Sequence, residues 1–389
     1  MARIVLAMSG GVDSSVAAWL LREQGHDVVG VFMRHGLHDA TPALGTACVA
    51  CQERVEKPDS AAAGAVADGQ AVEPSKPRRQ GCCSAEDAAD ARRVAEVLGI
   101  PFYALNFEEH FNRIVDYFCD EYLAGRTPNP CIVCNTWLKF GKLFEYADGI
   151  GAEYVATGHY ARIAPPAGGG SPMLCRGLDR GKDQSYVLFG IERKLLSRLA
   201  LPVGDYRKEE IRRIAADLGL RVADKRDSQE ICFVPDDDHA GFVRKRRGDS
   251  DTSGEIVTTT GEVVGRHNGL EGFTIGQRKG LRVAFGERRY VVRLEPDTHR
   301  VVVGRHDALA RAELTAKEAN WLIDAPQRPF ACTVRIRYRS QASPATVEPL
   351  GESRFRVRFD EPCHGVAPGQ AAVCYQDDRV LGGGWIESY

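Results

Sequence analysis

Met1 to Leu21 read MARIVLAMSGGVDSSVAAWLL, and the fold turns on how Ser9-Gly10-Gly11-Val12-Asp13-Ser14-Ser15 is understood. The apolar run Ile4–Met8 reads as a short buried strand, and Ser14–Gln24 as a helix with Val16, Leu20 and Leu21 inward, closed by Gly25. A strand, a Gly-Gly turn and a helix opening at a Ser/Asp cluster gather unpaired backbone N–H groups at the positive end of a helix dipole. Such a point binds an anion. The glycines would let the backbone approach phosphate oxygens, and the hydroxyls of Ser9, Ser14 and Ser15 would add donors. A Walker A loop carries a lysine for the β and γ phosphates, and this loop has none. Asp13 would repel phosphate unless a Mg²⁺ ion lay between them, so a metal–pyrophosphate pair is the expected guest. The plainer alternative is an N-capped helix after a tight turn.

Further along, strand Val28–Met33, helix 86–98, strand 102–107, helices 109–124 and 137–148, and strand 153–157 continue the alternation. That pattern predicts a doubly wound α/β domain with a parallel sheet. From residue 36 to residue 80 the text becomes low in complexity, as in PDSAAAGAVADGQAVEPSKPRRQ. It carries too little apolar surface to offset its ordering entropy, and a loosely ordered insertion is expected there. The expected division is a nucleotide-binding catalytic domain over 1–204, a small central module over 205–275 and a C-terminal β-barrel domain over 276–389. The module holds one clear helix, Lys208–Leu218. The last part is dominated by period-two segments such as Tyr290–Leu294, Val301–Gly304, Thr333–Tyr338 and Phe355–Phe359.

Bulk properties narrow the function. A chain of 389 residues implies two or three domains. With a formal charge of -2 and 27% charged residues, any nucleic-acid surface must be a local patch. No apolar run approaches the ~20 residues of a membrane span. The N-terminus lacks a signal peptide's features, so a cytoplasmic protein without membrane contact is expected. Twelve cysteines in that compartment read as packing, metal-binding or catalytic groups rather than a disulfide framework.

Ser-Gly-Gly-Val-Asp-Ser after a first strand resembles the PP-loop of the ATP pyrophosphatases. Two further strings decide among the families that carry it: Gly125-Arg-Thr-Pro-Asn-Pro-Cys-Ile-Val-Cys-Asn135 and Asp227-Ser-Gln-Glu-Ile-Cys-Phe233. With Ala156-Thr-Gly-His-Tyr160, Gly181-Lys-Asp-Gln-Ser-Tyr186, Gly276-Gln-Arg-Lys-Gly280 and Leu381-Gly-Gly-Gly384, the chain resembles the tRNA-specific 2-thiouridylase family over nearly its whole length. Argininosuccinate and GMP synthetases share the loop but call for neither cysteine string. A tRNA-binding module without catalysis would not need an intact loop with both cysteines.

The resemblance implies that ATP adenylates the C2 oxygen of a wobble uridine and that a persulfide sulfur displaces AMP. It implies Cys134 as nucleophile and Cys232 as persulfide carrier, with a transient disulfide between them. ATP would lie against Ala7, Met8, Ser9, Gly10, Gly11, Val12, Asp13 and Ser14, with Met33 beside the adenine and Gly158 after the strand 153–157. The tRNA would meet Asn129, Pro130 and Cys131 at the target base, His159, Lys182, Asp183 and Gln184 along its path, and Arg337, Tyr338 and Gln370 in the β domain. A cysteine desulfurase or sulfur-relay protein would supply sulfur, and a monomer is expected.

Many members of the family carry an Asp where this chain has Cys131, so the acid/base role given to that Asp does not transfer. An alternative lets Cys131, Cys134 and Cys232 ligate a [4Fe–4S] cluster. Pro128 and Pro130 are expected to hold Cys134 out of helical geometry in a stiff loop. Arg335, Arg337 and Arg339 would share one strand face, and Arg354, Arg356 and Arg358 another, in rows that would suit phosphate or be solvated faces. Arg244 to Arg247 form a further basic run. Cys48, Cys51, Cys82 and Cys83 could hold Zn²⁺ at the ends of the insertion, with a plain loop as the default. Arg34-His35-Gly36 stands where the family has Asn-Trp after Met33.

Overall fold

The computed structural model describes residues 1–36, 84–165, 170–227, 231–234, 238–248, 251–283 and 286–389. The expected insertion and zinc site therefore lie outside the described residues, apart from Gly36. The first domain opens with β1 (Arg3–Ala7), α1 (Val12–Glu23), β2 (Asp27–Arg34), α2 (Ala85–Leu98), β3 (Phe102–Asn106) and α3 (Glu108–Leu123). It continues through α4 (Pro130–Cys134), a π-helix (Asn135–Lys142), α5 (Leu143–Gly149), β4 (Tyr154–Thr157), β5 (Ala161–Ala164), β6 (Met173–Arg176) and β7 (Leu199–Ala200). Five strands form a parallel sheet in the order β3-β2-β1-β4-β7. The chain runs outward from β1 to β3 and returns at β4, so the switch point lies between β1 and β4, where a ligand crevice opens at the strand C-termini. β1 is buried from Ile4 to Ala7 because helices cover both faces, which is why it reads as a continuous apolar run.

α6 (Lys208–Asp217) packs through Ile211 and Ala215 into the cluster that holds Val16 and Leu20 of α1. α7 (His239–Arg247) precedes β8 (Gly254–Thr258), β9 (Val263–His267), β10 (Tyr290–Glu295) and β11 (Arg300–Gly304), a four-stranded sheet ordered β10-β11-β8-β9. This sheet crosses the division expected at 275/276, because β11 pairs with β8 and β10 with β11, instead of with the strands that follow. α6 crosses the division at 204/205 in the same way. Period-two text shows that a strand exists, and only tertiary pairing shows which sheet it joins.

The last six strands are β12 (Ala310–Trp321), β13 (Phe330–Arg335), β14 (Ser343–Pro349), β15 (Arg354–His364), β16 (Ala371–Gln376) and β17 (Arg379–Ser388). They pair antiparallel in the order β12-β15-β14-β13-β16-β17, and β12 also pairs β17, which closes a barrel. β6 and β5 extend this sheet beyond β17. One apolar core therefore runs from Val5 and Leu143 through Tyr186 to Ala371, Val373 and Tyr375, and the barrel shares it with the parallel sheet. The expected architecture, a parallel α/β domain with a central module and a C-terminal barrel, is what the chain adopts.

Candidate active site

Gly10 has φ 72, and a Cβ there would lie 2.1 Å from the Asp87 carbonyl oxygen, so only glycine lets α2 press against the loop. Gly158 is confined from the other side, where a Cβ would come 2.7 Å from the Ser14 nitrogen. Gly11 caps α1 without a side-chain hydrogen bond, leaving the first-turn N–H groups of Val12 and Asp13 directed at the crevice. The hydroxyls take a different part from the expected one. Ser15 is fully buried and donates to the Gly11 carbonyl at 2.8 Å, while Ser14 accepts from the Ser9 N–H at 3.2 Å and donates to Gly11. These two serines shape the loop, and Ser9 alone stays exposed.

The lysine missing from the loop comes from elsewhere in the chain. Lys208 Nζ lies 2.7 and 2.8 Å from the two carboxylate oxygens of Asp13, and Tyr160 donates its hydroxyl to the same group at 2.6 Å. Lys225 donates to the Gly10 carbonyl at 3.0 Å and to Asp87 at 2.6 Å. Asp13 is thus partnered by an ammonium, and a Mg²⁺ ion held chiefly by nucleotide phosphates would meet it as a single carboxylate beside Lys208. Among the described residues no three His, Cys, Asp or Glu side chains converge to hold a metal ion. Cys131, Cys134 and Cys232 form no such group among the described residues, and Cys131 does not line the cavity that the other two share.

Cys134 is on a helix, contrary to the expected loop. Pro130 occupies the first helical position, where its missing N–H costs nothing, and the Asn129 side chain accepts from Ile132 N at 3.3 Å. The helix passes directly into the π-helical turns, which bring Lys139 to the cavity wall. Its Nζ lies 3.4 Å from His159 Nε2, and His159 Nδ1 lies 2.7 Å from the Thr157 hydroxyl. Burial, reinforced by the Lys139 charge, holds His159 well below the ordinary imidazole value, so the ring is neutral at pH 7.

Cys134 and Cys232 pack against one apolar cluster. Phe233, beside Cys232, meets Phe111 and Phe118 edge-on at centroid distances of 5.6 and 5.1 Å. Burying that ring is worth about 2–3 kcal/mol, enough to fix the Cys232 end of its segment. His35 stacks on the opposite part of Phe111 at 4.0 Å.

One cavity of about 870 Å³ unites the loop and both thiols. Of the residues expected at ATP, all but Gly10 line it, Met33 and Gly158 included. His159, Lys182, Asp183, Gln184 and Tyr338 also reach it, whereas Asn129, Pro130, Cys131, Arg337 and Gln370 do not.

Several residues expected along the RNA path are occupied within the protein. Asp183, almost fully buried, accepts from the Gly177 and Ser185 N–H groups and pairs with Arg176 and Arg335. Gln184 accepts from Tyr160 N at 2.8 Å, and buried Gln370 donates to the Thr127 and Pro128 carbonyls at 3.0 and 3.2 Å, bracing the segment that leads to Cys134. The expected arginine face at 335, 337 and 339 is not one face, because β13 ends at Arg335. Arg335 turns inward to Asp183, Arg337 donates to the Ile275 carbonyl at 2.7 Å, and Arg339 borders the cavity. Burial lowers the Arg337 pKa.

Lys208, Lys225, Lys139 and Tyr160 escaped the reading of the sequence. Lys208 leaves a trace there, since a cation at the first position of a helix opposes the dipole and invites the question of what it pairs with.

Three family models match the chain in series: a tRNA methyl transferase HUP domain at residues 2–72 and 67–236, a tRNA methyl transferase PRC-barrel domain at 240–305, and an aminomethyltransferase beta-barrel domain at 311–386. Among curated proteins, a tRNA-specific 2-thiouridylase MnmA of Rhodopirellula baltica is 54% identical, covering 99% of this chain and 96% of that one. Those of Geotalea uraniireducens and Carboxydothermus hydrogenoformans are 46% and 44% identical, each over 99% of this chain and 95% and 97% of their own.

Proposed function

Because the chain belongs to the tRNA-specific 2-thiouridylase family, we propose that it converts a wobble uridine of tRNA to 2-thiouridine at the expense of ATP. The observation that carries this is the single cavity into which the glycine loop, Cys134 and Cys232 all open. The first-turn N–H groups of α1 receive the phosphates of ATP, and Met33 at the end of β2 borders the adenine. The uridine C2 oxygen attacks the α-phosphorus and pyrophosphate leaves, so that AMP becomes the leaving group on C2. The terminal sulfur of a Cys232 persulfide then attacks C2 and AMP departs. The Cys134 thiolate attacks the Cys232 sulfur, the sulfur–sulfur bond to the nucleoside breaks, and 2-thiouridine is released with a Cys134–Cys232 disulfide behind it. An external dithiol reduces that disulfide, and a sulfur-donor protein reloads Cys232.

Lys139 faces the neutral ring of His159 at the rim, where it offsets negative charge gathering at the adenylate. Localisation in the cytoplasm and action as a monomer complete the reading.

Single-turnover thiolation of tRNA by the persulfide-loaded protein tests it. Wild type yields one AMP and one pyrophosphate per 2-thiouridine. Cys134→Ala and Cys232→Ala each lower thiolation at least about a hundredfold, while tRNA-dependent pyrophosphate release persists. Thiolation without ATP, or by the Cys232→Ala protein at the wild-type rate, refutes the reading.

A further inference from the structure

Four side chains of alternating sign link the phosphate loop to the RNA path. Asp13 holds Lys208, Lys208 Nζ lies 2.8 Å from Asp227 Oδ1, and Asp227 Oδ2 accepts from Lys182 Nζ at 2.7 Å. Arg212 reaches Asp227 Oδ1 at 2.9 Å as a third cation. Lys208 is nearly enclosed, with 8% of its side chain exposed against 20% for Asp227 and 36% for Lys182. Solvent therefore screens the inner pairs weakly and the outer one more. Asp227 also stands five residues before Cys232, so the same carboxylate tethers the start of the thiol segment to the nucleotide loop.

We propose that Asp227 is a positioning residue that couples the RNA-facing Lys182 to the phosphate loop through Lys208. This rests on the ATP- and tRNA-dependent reading above. One carboxylate serves two lysines that answer to different substrates, so a change at either lysine is felt at the other. Without Lys182, the charge of Asp227 falls on Lys208 and Arg212 and draws Lys208 away from Asp13. Asp13 is then less neutralised and repels nucleotide phosphate. Without Lys208, Asp227 holds Lys182 more tightly against an arriving RNA phosphate. Both crossed effects run in the direction of weaker binding, and both pass through Asp227.

The test measures affinity for a nonhydrolysable ATP analogue without RNA, and for tRNA without nucleotide, on the full chain. Lys182→Met is expected to weaken the analogue about fivefold, and Lys208→Met to weaken tRNA by a similar factor. In an Asp227→Asn background each crossed effect falls below about twofold, and Asp227→Glu restores part of it. Crossed effects that persist in Asp227→Asn, or that are absent beside wild-type Asp227, overturn the coupling. Should Lys208→Met fail to fold by thermal melting, the Lys182→Met arm decides alone. A wild-type protein that binds neither probe sinks the functional reading and the coupling with it. Binding of both probes without crossed effects sinks the coupling alone.

Discussion

Charge is handled in opposite ways around the cavity and on the C-terminal barrel. At the cavity, Lys208 and Arg335 each have 8% of the side chain exposed; Asp13 and Asp183 reach them from distant parts of the chain, and Asp227 from beyond the end of α6. On the barrel, Arg354, Arg356 and Arg358 are more open; Arg356 and Arg358 pair with Glu348 and Glu313 on the neighbouring strands β14 and β12, and Arg354 reaches Glu387 of β17. The conspicuous arginine row thus spends its charge on its own sheet as an ordinary solvated face. The charges that position chemistry are enclosed and make no local pattern. Exposed pairs are worth about 0–1 kcal/mol, whereas breaking an enclosed pair costs about 3–5 kcal/mol.

The sharpest way to break this contrast is Asp183→Ala, which strips Arg176, Arg335 and two backbone N–H groups of their acceptor. Urea unfolding is expected to show a loss of about 3–5 kcal/mol, and a loss below about 1 kcal/mol would place this pair with the surface ones.

Next in size is the acid sensitivity of Asp227. Burial alone would raise its carboxyl, but the hydrogen bonds and charges of Lys182 and Lys208 outweigh it and hold the group at about 2. The folded value lies below the unfolded value, so the group's contribution is present above about pH 4 and is lost as pH falls through about 2. Discounted for solvent screening, it amounts to about 1–2 kcal/mol at neutral pH. The stability gap between wild type and Asp227→Asn should therefore narrow progressively below about pH 4 in urea melts. A gap that does not change with pH would contradict the depressed carboxyl.

The smallest effect belongs to the barrel. Arg356→Ala should cost less than about 1 kcal/mol and leave the salt dependence of tRNA binding unchanged. If Arg356 gripped a phosphate, the slope of log affinity against log salt would fall by about one.

Much of the first domain is legible in the sequence because its signals are local. The apolar strand, Gly10 and Gly11 and the amphipathic helix fix the β1–α1 unit within about twenty residues, as a strand–turn–helix pattern does. The long motifs around Cys134 and Cys232 likewise name two residues that the fold then brings to one cavity. Misreadings came where a local rule had two outcomes. Pro130 before Cys134 suggested a stiff loop, yet the same ring is favourable at the first position of a helix. The partner of Asp13 could not be read at all, because Lys208 is far off in sequence and its approach depends on α6 packing against α1. The row at Arg335, Arg337 and Arg339 misled because a strand's end cannot be read from alternation alone.

The pairing of Cys175 in β6 with Arg379 in β17 bears on how the molecule is made. On a ribosome adding about 5–20 residues each second, β6 emerges roughly 10–40 s before its neighbour is synthesised. During that interval its outer edge has unsatisfied backbone groups that invite pairing with another nascent chain. A truncated transcript ending before β17 would leave that edge permanently bare, so incomplete products should be removed by quality control more readily than the buried first sheet would suggest.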